Sequence, residues 1–397
     1  MRGPPPSETR RRQAAGLPLQ RFHFQRSEQE ESLYVATLPN GKRFSINRIV
    51  DDVRAYVTDP ADWVAFRALF AARFQITGGE QEFVNGSYNG AYCEYDRVAG
   101  TMAYSIETPI DRLLQRVELA DVKPSGVPML HRANVDITKA DQPTSATDKA
   151  EAELFKGKYA TLACACLWLA NYAPEISFAV TFLARWLKNP GKKMFGAAKI
   201  LAGYLKGRRS LRYFLRRTSD GPALTAHLQR KPTAELNSSA DASHNDNADG
   251  TTTIGYLLRY GNSVILARTL KLKHVTLSTN ESELSAQTEC GRDIVSFRHL
   301  LTELGGAPTG PTVMDCDSAG AIAVAERRSP TNRTKHIRLR DKWVRQLVSS
   351  GAAVLKYRRT SELLADVLSK PVPGPLFTKT RREMLLLSTA FPEASLL

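Results

Sequence analysis

Four acids in the C-terminal part of the chain stand where carboxylates can do chemistry: Asp241, Glu283, Asp317 and Asp366. Asp241 follows a strand-like stretch from Ala234 to Ala240, and Glu283 falls in the first turns of a helix. Asp317 marks the end of a strand, and Asp366 sits on the last helix. Ends of elements can converge at one sheet edge, and hard divalent ions need several carboxylate ligands. A pair of such ions about 4 Å apart can activate a water and neutralise charge on the attacking and leaving oxygens of a phosphodiester. The competing explanation is ordinary: a single carboxylate is usually a helix cap or a solvated surface acid.

Local spacing narrows the ligand set without deciding it. Ser278-Thr279-Asn280-Glu281 reads as a capping box, which turns Glu281 back to the helix N-terminus. Glu283 points to a nearly opposite side, so only one of the two belongs in a cluster. Asp315 and Asp317 share a strand face by period, and spacing alone leaves both open.

The elements that must position these acids begin with strands. Thr253 to Tyr260 and Ser263 to Thr269 flank Gly261-Asn262, a pair suited to a tight hairpin, and His274 to Leu277 is a candidate third strand. A long helix with Ile294, Phe297, Leu301 and Leu304 on one face follows, ending at Gly305-Gly306. Next come a strand (Thr312 to Cys316), a helix (Ala319 to Arg327), a basic loop and helix, a strand (Ala352 to Tyr357) and a last helix closed by Pro371. Strands first, then alternation, suits a mixed sheet flanked by helices, an α/β (α+β) class.

Upstream, residues 1–21 read as a flexible basic tail, followed by mixed α/β pattern with a turn at Pro39-Asn40-Gly41 and a helix around Asp62 to Phe74. Asp136 to Glu151 is polar and reads as a linker or long loop. Helical stretches follow at Tyr159 to Leu169, from Pro174, and around Ala197 to Leu205.

Composition bounds the class. The 397 residues carry 55 Lys and Arg against 40 Asp and Glu, a formal charge of +15 that favours polyanionic partners. The run Arg327, Arg328, Arg333, Lys335, His336, Arg338, Arg340, Lys342, Arg345 is a candidate phosphate-contacting surface, and His336 a candidate proton shuttle. Lys206, Arg208, Arg209, Arg212, Arg216 and Arg217 form a second candidate track, whose bland reading is charge balance. Trp168, Trp186 and Trp343 read as core residues ahead of base-stacking ones. The five Cys show no zinc spacing, and no apolar run is long enough for a membrane span. These features predict a soluble intracellular protein, cytoplasmic or nuclear, with no membrane partner and no small-molecule cofactor.

The motifs Ala240-Asp241-Ala242, Leu277 to Ala286, Cys316-Asp317-Ser318, Arg333-Thr334-Lys335-His336-Ile337 and Ala365-Asp366-Val367-Leu368-Ser369-Lys370-Pro371 resemble, in order, the ribonuclease H domain of copia-type retrotransposon Pol polyproteins. The helical run from Ala173 to Gly207 is similar to the segment joining polymerase to nuclease, and Ile49-Val50-Asp51-Asp52 to the reverse transcriptase active-site tetrad. The resemblance implies metal-ligand roles for Asp241, Glu283, Asp317 and Asp366, two Mg²⁺ or Mn²⁺ ions, and an RNA/DNA hybrid as partner. It implies nucleic-acid contacts at Arg333, Lys335, His336 and Arg338. It also implies a partial palm and thumb over 22–135, a linker and helical connection over 136–220, a ribonuclease H-like domain over 224–372 and a tail over 373–397.

Departures qualify it: Ile49 stands where the tetrad has an aromatic residue, and Ala173-Pro174-Glu175 where the connecting helix has Arg-Pro-Asp. With too little chain before Ile49 for the rest of a polymerase site, Asp51 and Asp52 are expected to be relics. A complementary polymerase fragment is then a candidate partner. The alternative function is a catalytically dead fragment that only binds nucleic acid.

Overall fold

The computed structural model describes residues 22–39, 41–50, 52–72, 74–75, 85–96, 98–216, 236–326 and 343–387. Asp51, Arg333, Lys335, His336 and Arg338 lie outside the described residues. The chain divides into two compact units, Met1–Asn89 with Val295–Pro308, and Gly90–Ile294 with Thr309–Leu397.

In the first unit, strands Gln25–Arg26, Leu33–Thr37, Arg43–Ile49 and Asp52–Val57 form an antiparallel meander. Phe44 and Phe66 are buried at its centre and meet Phe22 and Phe24 edge to face. The helix Pro60–Ala71 starts on an Asp59 cap and has Pro at its first position, where the missing N–H costs nothing.

The second unit holds the mixed sheet. Its order is Ser263–Lys271, Thr253–Tyr260, Leu236–Ser243, Thr312–Cys316, Ala353–Tyr357. The first three strands pair antiparallel, and the last two join in parallel. The mixed sheet flanked by helices is therefore as expected from the strand and helix pattern. The Gly261-Asn262 hairpin is present, with Gly261 at φ +61° and Tyr260 paired to Ser263. Asp241 lies inside the central strand instead of after it. His274 to Leu277 forms no strand: the sheet's edge is Ser263–Lys271, and the segment after it turns into the long helix Thr279–Glu303.

Several upstream expectations also change. The first connecting helix runs Ala146–Leu169, not from Tyr159, because Ser145 and Asp148 build a reciprocal capping box in the polar stretch read as a loop. Thr138 and Asp141 do the same for a short turn of helix. The residues after 372, read as a tail, contain the helix Gly374–Leu385, which buries Phe377 and Met384.

One apolar core joins the helices to the sheet. Leu162, Cys166, Leu183, Leu201 and Leu205 cluster with Leu257, Val264, Val367 and Leu368. Trp168 and Trp186 pack against that core, which accounts for both without any contact to bases. Beneath it, Glu175 and Arg208 form a buried ion pair at 2.8 Å, and the Tyr204 hydroxyl donates to Glu175 at 3.0 Å. No described helix is long and apolar enough to cross a membrane.

Candidate metal centre

Three separate elements deliver one carboxylate each to the same point. Asp241 comes from the central strand, Glu283 from the second turn of the long helix, and Asp317 from just past Thr312–Cys316. Each offers one ligand oxygen, all within 4.8 Å of one another. Asp241 and Glu283 are buried, whereas Asp317 keeps partial access to solvent and so forms the mouth.

Asp366, the fourth expected ligand, stands beside this group. Its carboxylate pairs with Lys370 Nζ at 2.5 Å, and the same ammonium lies 3.7 Å from Asp241. Ser369 Oγ donates to Asp241 and to the Asp366 carbonyl.

What lets the Asp366–Ser369 turn come so near is a glycine. Gly255 faces Asp241 in strand register. A Cβ on Gly255 would lie 2.4 Å from the Leu368 carbonyl carbon and 2.6 Å from Ser369 N, so any side chain would push the turn off the sheet. Thr269 Oγ1 fastens the turn from the neighbouring strand by donating to Leu368 O at 2.6 Å.

The two ambiguities in the sequence end in different ways. Glu281 accepts from Leu277 N at 2.8 Å, and its own N–H donates to Ser278 Oγ at 3.2 Å. It is the helix cap, and Glu283 is the residue in the cluster. Asp315 and Asp317 do not share surroundings as strand period predicts. Asp315 is buried and accepts from Arg358 Nε at 3.1 Å, with Arg259 at 3.9 Å, while Asp317 lies beyond the strand and accepts from Thr360 Oγ1 at 2.6 Å.

Electrostatics make the cluster receptive to cations. Burial raises the Asp241 carboxyl to about 6, with the charges of Asp366 and Asp317 acting in the same direction against the pull of Lys370 and the Ser369 hydrogen bond. Burial, then Asp241 and Asp317, push Glu283 well above the usual carboxylate range. Asp366 is raised too, chiefly by burial. Glu283 Oε2 is buried with no hydrogen-bond partner among the described residues. An orphaned carboxylate oxygen beside two more, all hard donors, fits a divalent ion of the Mg²⁺ kind.

Lys370, Ser369 and Gly255 were not singled out from the sequence. The first two sit at i+4 and i+3 from Asp366, and the last is a lone glycine inside a strand pattern, a known mark of close backbone approach.

Of the second basic track, Arg217 lies outside the described residues, and four others have partners within the chain. Arg208 is buried against Glu175, Arg209 pairs with Asp111 at 3.2 Å, Arg212 pairs with Glu94, and Arg216 Nη2 donates to Leu386 O at 3.1 Å. These side chains serve packing and charge balance.

Among the described residues, the tetrad region shows none of the convergence seen at the cluster. Ile49 pairs with Asp52 across a two-residue turn, with Val50 at φ +52° and 82% exposed. Asp52 is exposed and accepts from Asn89 N at 3.1 Å. It belongs to no group of potential metal ligands among the described residues.

No family model matches the chain. Among curated proteins, it is 28% identical over 283 residues to a retrovirus-related Pol polyprotein from transposon TNT 1-94 of Nicotiana tabacum, covering 71% of this chain and 20% of that protein. It is 28% identical over 356 residues to the Pol polyprotein of transposon RE1 of Arabidopsis thaliana, covering 89% and 22%. A Ty1 Gag-Pol polyprotein of Saccharomyces cerevisiae is 30% identical over 152 residues, 37% of this chain and 8% of that protein. The chain thus spans about a fifth of the length of the first two. Among solved structures, the N-terminal RNase H domain of a Mycobacterium tuberculosis protein, fused to maltose-binding protein, aligns at TM-score 0.26 and 11% identity over 38% of this chain and 98% of that one.

Proposed function

We propose that this chain, a relative of the copia/Ty1-type retrotransposon Pol polyproteins, is a metal-dependent endonuclease that cuts the RNA strand of RNA/DNA hybrids. The observation that carries the reading is the meeting of Asp241, Glu283 and Asp317 within 4.8 Å, with Asp366 alongside. Those four carboxylates would hold two Mg²⁺ ions. When bound, the ions supply a water of lowered pKa and a countercharge for the departing 3′ oxygen.

The chain's own residues do the positioning. Ser369 and Lys370 orient Asp241 and Asp366, Thr360 orients Asp317, and Gly255 keeps the last turn against the sheet. The half-exposed Asp317 side is where the scissile phosphate enters. Basic side chains, among them Arg333, Lys335, His336 and Arg338, hold the two backbones, and hybrid groove shape with the 2′-OH selects the RNA strand.

In this reading residues 22–135 are the partial palm and thumb, 136–220 the connection and 224–372 the nuclease. Asp51 and Asp52 do not support polymerisation in this reading, since Asp52 joins no group of potential metal ligands among the described residues. Incubation of the full chain with an end-labelled hybrid and Mg²⁺ is the test. Internal cuts in the RNA strand alone, lost with chelator, are expected. A hybrid that is bound with strong salt dependence yet left whole would make the chain a nucleic-acid-binding remnant instead.

A further inference from the structure

One turn along the long helix from Glu283, Gln287 is completely buried and takes no part in the metal centre described above. Residues four apart on a helix are surface neighbours, with about 5–6 Å between their Cβ atoms. A buried amide has two N–H donors and an oxygen to satisfy. Here Nε2 donates to Cys316 Sγ at 3.4 Å, and Oε1 is buried with no hydrogen-bond partner among the described residues. Glu283 Oε2 is orphaned in the same way. The helix's buried side is otherwise lined by Leu284, Ala286, Cys290 and Ile294, so packing alone does not call for an amide at this position.

The thiol belongs to the same neighbourhood. Cys316 ends the strand that leads into Asp317, and burial, with the charge of Glu283 acting in the same direction, pushes its thiol up to about 12. The sulfur therefore keeps its proton. A thiol S–H is a weak donor and its sulfur a weak acceptor, so a carbonyl oxygen suits it better than an N–H does. A half-turn of the Gln287 amide exchanges its oxygen and nitrogen without changing its shape. Oε1 then faces the Cys316 S–H, and an N–H is free for the neighbour on the same helix face.

We infer that Gln287 is a positioning residue for the metal centre, accepting from the Cys316 thiol and donating to Glu283 Oε2. Both orphaned oxygens then have partners. A carboxylate oxygen has two lone pairs, so Oε2 takes the N–H on one and keeps the other for an ion. The N–H fixes the rotation of the carboxylate and favours its ionised form, which is the form that binds a cation. The inference rests on the metal-dependent nuclease reading, and it adds a residue that touches neither ion nor substrate.

Mn²⁺ binding to the full chain, measured by isothermal titration calorimetry without nucleic acid, is the test, together with thermal melting in chelator. Gln287→Met keeps the length of the side chain but removes both polar ends. Its Mn²⁺ affinity should fall roughly 10- to 100-fold, as when the hydrogen-bond partner of a metal ligand is lost. Its melting temperature in chelator should be no lower than that of wild type, because an apolar chain replaces a half-paired buried amide. A merely structural residue would show the opposite split.

A second pair of variants reads the other end of the chain of hydrogen bonds. Cys316→Ala removes the donor to Oε1 and should weaken Mn²⁺ binding about 3-fold, whereas Cys316→Ser, whose hydroxyl donates better, should restore wild-type affinity. Wild-type affinity in Gln287→Met overturns the inference. So does equal affinity in Cys316→Ala and Cys316→Ser, the pair that decides if Gln287→Met fails to fold. Wild type that binds Mn²⁺ but leaves hybrids whole overturns the nuclease reading alone, and wild type that takes up no Mn²⁺ removes the metal centre and this role with it.

Discussion

Two places in this molecule carry motif acids, and among the described residues one of them gathers their oxygens. The tetrad Ile49-Val50-Asp51-Asp52 has its acids at consecutive positions, and Asp52, paired with Ile49 across the strands, is exposed and meets a backbone N–H. Asp241, Glu283 and Asp317 are as far apart as 76 positions, yet their carboxylates come within 4.8 Å and two of them are buried. The tetrad's placement leaves the Asp52 side chain facing water. Convergence of a strand, a helix and a strand end places carboxylates where dehydration makes like charges costly, and that cost is what a cation relieves.

The sharpest way to break the contrast is to remove one ligand from the buried group. Asp317→Asn is expected to lower Mg²⁺-dependent hybrid cleavage by at least about 10³-fold, with the melting temperature little changed because Asp317 is half-exposed. Cleavage by that variant at the wild-type rate would remove Asp317 from the ligand set.

Gly255→Ala attacks the same site through packing. The added methyl meets the Leu368 backbone at 2.4 Å, so the Asp366 turn must lift or the strand must shift. A loss of about 1–3 kcal/mol in chemical denaturation is expected, with weakened metal binding. An alanine variant as stable as wild type would mean the turn does not rest on this strand.

The pH dependence of metal-free stability sharpens the electrostatic half of the comparison. Asp241 has its carboxyl raised from 3.8 to about 6, so the folded chain holds a proton there that the unfolded chain releases. Stability from this group is complete below about pH 4 and is lost as pH rises through 6, at most on the order of 3 kcal/mol. Glu283 and Asp366 act in the same direction. Thermal melts in chelator should therefore fall across this window, and fall less in Asp241→Asn. Added Mg²⁺ should restore stability above pH 6, since it binds the ionised carboxylates. A melting temperature that climbs through the same window without metal would contradict the burial argument.

The smallest expected effect is at the turn itself. Asp52→Asn should leave hybrid cleavage within about 2-fold of wild type and stability within about 0.5 kcal/mol. Loss of cleavage in that variant would give the tetrad a role it lacks in this account.

The same comparison shows why some features were legible before any coordinates and others were not. The Ser278 and Glu281 cap, the Gly261-Asn262 hairpin and the strands Thr253–Tyr260 and Thr312–Cys316 depend on neighbours within a few residues. The capping box of Ser145 and Asp148 was equally local, but the polar composition around it disguised a helix start as a loop. Arg208 looked like surface charge because nothing nearby in sequence announces Glu175, 33 positions earlier, as its buried partner.

By itself, then, the order of residues determined which carboxylates are candidates, the local turns and caps that bound their elements, and the positive charge that favours a polyanion. Those properties come from side-chain chemistry and short-range backbone preference, which need no distant partner. Tertiary structure decided that Asp315 is neutralised by arginines while Asp317 joins the cluster, that Lys370 stands between Asp241 and Asp366, and that the upstream Asn134 reaches the loop beside the site. Each of these rests on contacts across many tens of residues and on burial, and desolvation is a property of everything packed around a group instead of the group alone.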